Sequence, residues 1–183
     1  MKNKAVFLDR DGTIIRDLVY LNDPKGIEVF KESYPALELL YKNGFLIILV
    51  TNQSGVARGL VQETNVKIIN DLIIKDFTGR KSPITAAYYC PHSVDGGCQC
   101  RKPNAGMLET AANEYNIDLK KSWMVGDRMS DVEAGRRAGA KGILLQNETT
   151  PPIDKNYATP EVICSDVLHA AKLIVGETQE GSQ

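Results

Sequence analysis

At 183 residues, with 22 basic and 23 acidic side chains and a formal net charge of −1, the chain can bury one full core without depending on disulfides. It has no global basic field for nucleic acid or an anionic membrane, so any anion site has to be local. MKNKAVFLDR carries charge at positions 2, 4, 9 and 10 and does not read as a signal peptide, and the six-residue run FLIILV falls well short of the roughly twenty residues that cross a bilayer, which together lead us to expect a cytoplasmic protein with reduced cysteines; we expect a monomer.

The first predicted element is the apolar strand Ala5 to Leu8, which runs straight into Asp9-Arg10-Asp11-Gly12-Thr13. In an open α/β sheet, ligands bind beyond the carboxyl ends of the strands, so these two carboxylates stand where a ligand would sit. The segment from Ile14 to Glu28, which includes Asp17, Leu18, Val19 and Tyr20, has no sustained periodicity and reads as a loop beside the acids. Ser33 starts a helix, with Pro35 tolerated in its first turn, apolar residues at 37, 40 and 41, and Gly44 as its stop. A second strand, Phe45 to Val50, ends in Thr51-Asn52-Gln53-Ser54-Gly55. Val66, Ile69, Leu72, Ile73 and Phe77 mark an amphipathic helix from about Gln62 to Phe77. A third strand, Thr85 to Tyr89, leads into a segment rich in cysteine.

There Cys90 and His92 form one pair of metal-type ligands and Cys98 and Cys100 another, a pattern that converges on a tetrahedral ion. Zinc suits these donors, and four protein ligands leave no position for water, so the ion would be structural. Cys164, which ends an apolar run, reads as core. Arg101 and Lys102 follow directly and precede a helix marked by Met107, Leu108, Ala111, Ala112 and Tyr115. Next come the strand Trp123 to Gly126, which ends in Asp127-Arg128, a helix from Asp131 to Ala138, and the strand Gly142 to Leu145. A short strand over Glu161 to Cys164 and a helix over Asp166 to Val175 complete residues 1–175 as one domain, with residues 176–183 as a disordered tail. The alternation implies an α/β fold, a Rossmann-like, doubly wound parallel sheet with helices on both faces.

The order DxDGT, TN, K and GDxxxD resembles the haloacid dehalogenase superfamily of phosphatases, and four spaced motifs agree. With CPH…CxCRKP added, residues 4 to 145 resemble the branch whose members remove the 7-phosphate of D-glycero-D-manno-heptose 1,7-bisphosphate. The resemblance implies a phosphoric monoester hydrolase in which Asp9 is the nucleophile, forming an aspartyl-phosphate, and Asp11 exchanges the proton with the leaving oxygen and then with water. It also implies Mg²⁺ held by Asp9, Asp127 and the backbone carbonyl of Asp11, phosphoryl oxygens held by the Thr51 hydroxyl and the Asn52 amide, and Lys102 as a fixed positive charge. A small phosphorylated sugar would contact Asp17, Leu18, Val19, Tyr20, Thr51, Asn52, Gln53, Ser54, Arg101, Lys102 and Arg128. Asp131 has two readings, a partner of Lys102 or of the metal shell, and an acid favoured at a helix N-terminus. The gaps between motifs hold one helix each with loops or a strand, so the chain looks capless. Histidinol-phosphate phosphatases share the zinc loop, the short His92 to Cys98 gap and Arg128, while Tyr20 and the Asn-Asp-Pro after it favour the sugar enzymes. An inactive zinc-stabilised binding module is the alternative from another class, disfavoured by the intact acids and the near-neutral charge.

Overall fold

A computed structural model describes residues 2–146, 150 and 152–180. Six parallel strands, β1 (Lys4–Leu8), β2 (Phe45–Asn52), β3 (Ala86–Cys90), β4 (Trp123–Gly126), β5 (Lys141–Leu145) and β6 (Val162–Cys164), form one sheet in the order β3-β2-β1-β4-β5-β6. Five helices, α1 (Ser33–Lys42), α2 (Glu63–Gly79), α3 (Gly106–Glu114), α4 (Met129–Ala138) and α5 (Val167–Glu180), cover its faces. Both faces of each central strand are buried, which is why these strands read as continuous apolar runs.

Successive side chains of a strand point to opposite faces, and the two cores follow that period of two. Val6, Leu8, Ile47 and Leu49 pack with α1, α2 and α5 through Leu37, Ile73 and Ala171. Ala5, Phe7, Ile48 and Val50 pack on the other side with α3 and α4 through Leu108 and Ala134. Leu8 lies level with Leu49 of β2 and Val125 of β4, so Asp9, Thr51 and Asp127 all emerge at one edge. Strand order reverses between β1 and β4, the switch point where such sheets bind ligands.

The expected alternation of strand and helix is present, with boundaries shifted by a few residues. β2 extends through Thr51 and Asn52, so these polar residues are the last of the strand. α5 runs to Glu180, so residues 176–180 of the expected tail continue the helix, while 181–183 lie outside the described residues. Extending a helix already anchored by packing gains a hydrogen bond for each residue fixed, and Glu177, Gln179 and Glu180 are good helix formers. Between β1 and α1 the chain is more ordered than a plain loop: Ile14 and Ile15 are fully buried, and Ile15 forms bridges to Asp11 and Val29. No helix among the described residues is long and apolar enough to cross a membrane.

Candidate active site

Lys102 is the hub of the site. Its side chain is 2% exposed, and its ammonium donates to Asp9 Oδ1 at 2.6 Å, the Val50 carbonyl at 2.7 Å and Asp131 Oδ1 at 2.7 Å. All three protons are used, which fixes the charge in place. Asp9, Asp127 and Asp131 each offer a carboxylate oxygen, and the three lie within 4.8 Å of one another. Burial pushes Asp9 up to about 8, Lys102 opposing the rise while Asp131, Asp127 and Asp11 add to it. Asp127 is raised to about 6, first by burial and then by Asp131, with Arg128 and Lys102 pulling the other way.

One lysine among these acids leaves surplus negative charge, and Asp127 Oδ1 is buried with no hydrogen-bond partner among the described residues. An orphaned carboxylate oxygen beside a second acid fits a hard divalent cation that takes oxygen ligands. Asp9 and Asp127 could hold it directly. Gly12 makes this approach feasible: its φ is +79°, and a Cβ there would overlap the Asp127 carboxylate. Asp131 fulfils both of its readings, because Oδ1 meets Lys102 while Oδ2 accepts from the Arg128 backbone N–H at 3.0 Å, capping α4.

The Asp11 side chain is turned away from this cluster. Arg10 Nε and Nη2 reach its two oxygens at 3.1 and 3.2 Å, and Thr51 Oγ1 and Gln53 Nε2 donate to Oδ2 at 3.2 and 2.8 Å. Any direct contact of Asp11 with a cation shared by Asp9 and Asp127 therefore falls to its backbone. Arg10 is fully buried and also donates to Asn70 Oδ1 of α2 at 2.9 Å. Sequence reasoning missed it, since its partner lies sixty residues away and no local pattern joins the two. Asn52 lines the cavity, and its amide has partners the sequence did not indicate: Nδ2 donates to the Lys102 carbonyl and Oδ1 accepts the Lys102 N–H, both at 3.0 Å. It positions the lysine backbone across from β2, because a strand-end amide matches a neighbouring peptide group at both ends.

These groups open into a cavity of about 460 Å³. Asp17, Val19, Tyr20, Gln53, Ser54, Arg101 and Arg128 line it with the acids. Leu18 does not; Val19 and Tyr20 take φ of 31° and 68°, and Leu18 lies over Gly26. Asp17 accepts from Arg128 Nη2 at 3.3 Å, and Arg58 both stacks on Tyr20 and donates to its hydroxyl. The Arg101 guanidinium donates at the margin, 3.5 Å from the His92 carbonyl, and Arg101 lines the cavity. Ser130, Asn104 and Tyr157 also line the cavity. The sequence offered no signal for them, because Ser130 is an unspecified position within GDxxxD, and Asn104 and Tyr157 fall outside the motifs.

Cys90, His92, Cys98 and Cys100 converge at the end of β3. Their ligand atoms stand 3.1 to 3.5 Å apart in the five closest pairs, near the roughly 3.8 Å edge of a tetrahedron built on Zn–S bonds of about 2.3 Å. This set could hold a metal ion. Cys164 is 2% exposed and belongs to the core beside α5.

Comparison with known proteins places this geometry among phosphatases. A model of the HAD-hydrolase-like family matches residues 99–170. The chain is 38% identical over 148 residues to the D-glycero-α-D-manno-heptose-1,7-bisphosphate 7-phosphatase of Campylobacter jejuni, covering 81% of this chain and 85% of that one. It is 36% identical over 179 residues to the corresponding β-anomer enzyme of Pasteurella multocida, covering 94% and 97%. Among solved structures, a D,D-heptose 1,7-bisphosphate phosphatase from B. bronchiseptica, complexed with magnesium and phosphate, superposes with a TM-score of 0.83 at 30% identity, covering 95% of this chain and 99% of that one.

Proposed function

The chain belongs to the heptose-1,7-bisphosphate phosphatases of the haloacid dehalogenase superfamily, and on that footing we propose that it hydrolyses the 7-phosphate of D-glycero-D-manno-heptose 1,7-bisphosphate in a Mg²⁺-dependent reaction. The observation that carries this is the buried Lys102 bridging Asp9 and Asp131 beside the orphaned Asp127 oxygen, in a cavity rimmed by Arg101 and Arg128. It supplies a nucleophile, a fixed cation and a place for a hard metal, the three things phosphoryl transfer asks of a protein.

Lys102 occupies Asp9 Oδ1, so the other oxygen of Asp9 is the one to attack phosphorus, forming an aspartyl-phosphate as the bond to the sugar oxygen breaks. Asp11 protonates the departing oxygen and then takes a proton from the water that cleaves the intermediate. To do so its carboxyl has to leave the hold of Arg10, Thr51 and Gln53, freeing the Thr51 hydroxyl for a phosphoryl oxygen. Asp9 and Asp127, with the Asp11 carbonyl, would hold Mg²⁺, which when bound would supply positive charge against the phosphoryl oxygens. Cys90, His92, Cys98 and Cys100 would hold a structural zinc ion, which would stiffen the backbone carrying Arg101 and Lys102. We read residues 1–175, together with the rest of α5, as one phosphatase domain, acting in the cytoplasm as a monomer.

Phosphorus NMR on both heptose bisphosphate anomers, with histidinol phosphate and other metabolites alongside, tests the reading. The expected result is Mg²⁺-dependent loss of the 7-phosphate resonance with the 1-phosphate retained. Preference for histidinol phosphate, or no hydrolysis of either anomer, would refute it.

A further inference from the structure

The reaction as described leaves one buried charge without a role. Glu133 of α4 is 6% exposed and accepts from Arg136 Nε and Nη2 at 3.0 and 2.8 Å, from Arg137 Nε at 2.7 Å, and from the backbone N–H of Ala158 at 3.2 Å. Arg136 above all holds its carboxyl down at about 2, against the opposing effect of burial. Arg137 Nη1 continues to Asn104 Oδ1 at 2.8 Å, while Asn104 donates from Nδ2 to the Cys98 carbonyl and from its backbone to the Arg101 carbonyl, each at 2.8 Å. One acid thus ties together two walls of the cavity: the loop that carries Arg101, and the segment around Ala158.

Tyr157 is the residue this second wall presents. It packs against Met129, Val132 and Leu144 and lines the same cavity as Asp9 and Lys102. It also lines a second cleft of about 220 Å³, so it borders both spaces. An aromatic residue with only two side-chain torsions offers a large contact surface at little ordering cost. We propose that Tyr157 contacts the sugar body of the substrate, and that Glu133 is a positioning residue that sets the spacing between Tyr157 and Arg101. This rests on the phosphosugar reading above, in which a capless site has to recognise the substrate through its walls.

The test is the ratio of kcat/KM on the heptose bisphosphate to kcat/KM on acetyl phosphate, which carries the reacting phosphate but no sugar. Tyr157→Ala should lower that ratio roughly fivefold, the scale of one aromatic contact, and Tyr157→Phe should restore it. Tyr157→Leu, which still fills the contact with Met129 and Leu144, covers the case of an unstable alanine protein and should also lower the ratio. Glu133→Gln keeps the size but not the charge, and should raise KM for the sugar more than it lowers kcat. An unchanged ratio in folded Tyr157→Ala or Tyr157→Leu would overturn the contact, and unchanged KM in Glu133→Gln would overturn the positioning. Wild-type protein that hydrolyses acetyl phosphate but not the heptose bisphosphate would instead refute the substrate reading. The ratio would then be taken on whichever phosphosugar the protein does hydrolyse.

Discussion

Replacing Lys102 with methionine removes the cation shared by Asp9 and Asp131 while keeping a side chain of similar length. The side chains are 2%, 10% and 2% exposed, so water replaces the lost partner poorly. Removing one member of such a buried pair costs about 3–5 kcal/mol when the remaining charge stays ionised, and we expect the low end because the acids can take up protons. Asp9 stands at about 8 in the metal-free protein, and Lys102 is what restrains it from rising further. An acid whose folded pKa is raised stabilises the fold fully below its unfolded value, and that contribution is lost as pH climbs through the folded value. Metal-free wild type finishes losing it near pH 8, whereas the variant, with Asp9 higher still, goes on losing stability above that. Urea unfolding without Mg²⁺ should therefore show a gap of about 3 kcal/mol near neutral pH. Above about pH 8 the gap should widen by up to about 1.4 kcal/mol per pH unit. Turnover should fall on the order of 10²- to 10³-fold. A gap below about 1 kcal/mol that does not grow with pH, together with turnover within a few fold of wild type, would refute the role given to Lys102.

Protons and Mg²⁺ compete for Asp9 and Asp127, which titrate near 8 and 6, so Mg²⁺ affinity measured by calorimetry should rise from pH 6 to 8; a flat profile would count against these ligands. Arg101→Ala should reduce kcat/KM more on the bisphosphate than on p-nitrophenyl phosphate, which has no second phosphate to hold; equal losses would assign Arg101 to the reacting phosphate or the fold. Cys98→Ala should lose bound zinc by metal analysis, melt at lower temperature and stay impaired in excess Mg²⁺, whereas a zinc-free variant with unchanged melting and kinetics would leave the cluster without a role.

The strands were legible because a parallel sheet buried on both faces writes itself as apolar runs such as FLIILV, and Asp9 and Asp127 were legible because they terminate such runs. The cysteine cluster was legible from spacing alone, since its four ligands fall within eleven residues. What stayed hidden depends on contacts distant in sequence. Arg10 looks like an exposed charge in its motif, yet it is buried between Asp11 and Asn70. The hold of the Asn52 amide on the Lys102 peptide, fifty residues away, also emerges only from the fold. Glu133 and Tyr157 meet the site only through the fold of the segment after β5, which no local pattern reports.

The claim on which the rest stands is that Asp9 attacks phosphorus. Steady-state turnover of purified Asp9→Asn, with its melting temperature checked against wild type, tests it most directly, since the amide keeps the shape of the side chain and removes its nucleophilic oxygen. We expect a folded protein with no Mg²⁺-dependent phosphate release above background on either the heptose bisphosphate or acetyl phosphate. A kcat near that of wild type would contradict the mechanism.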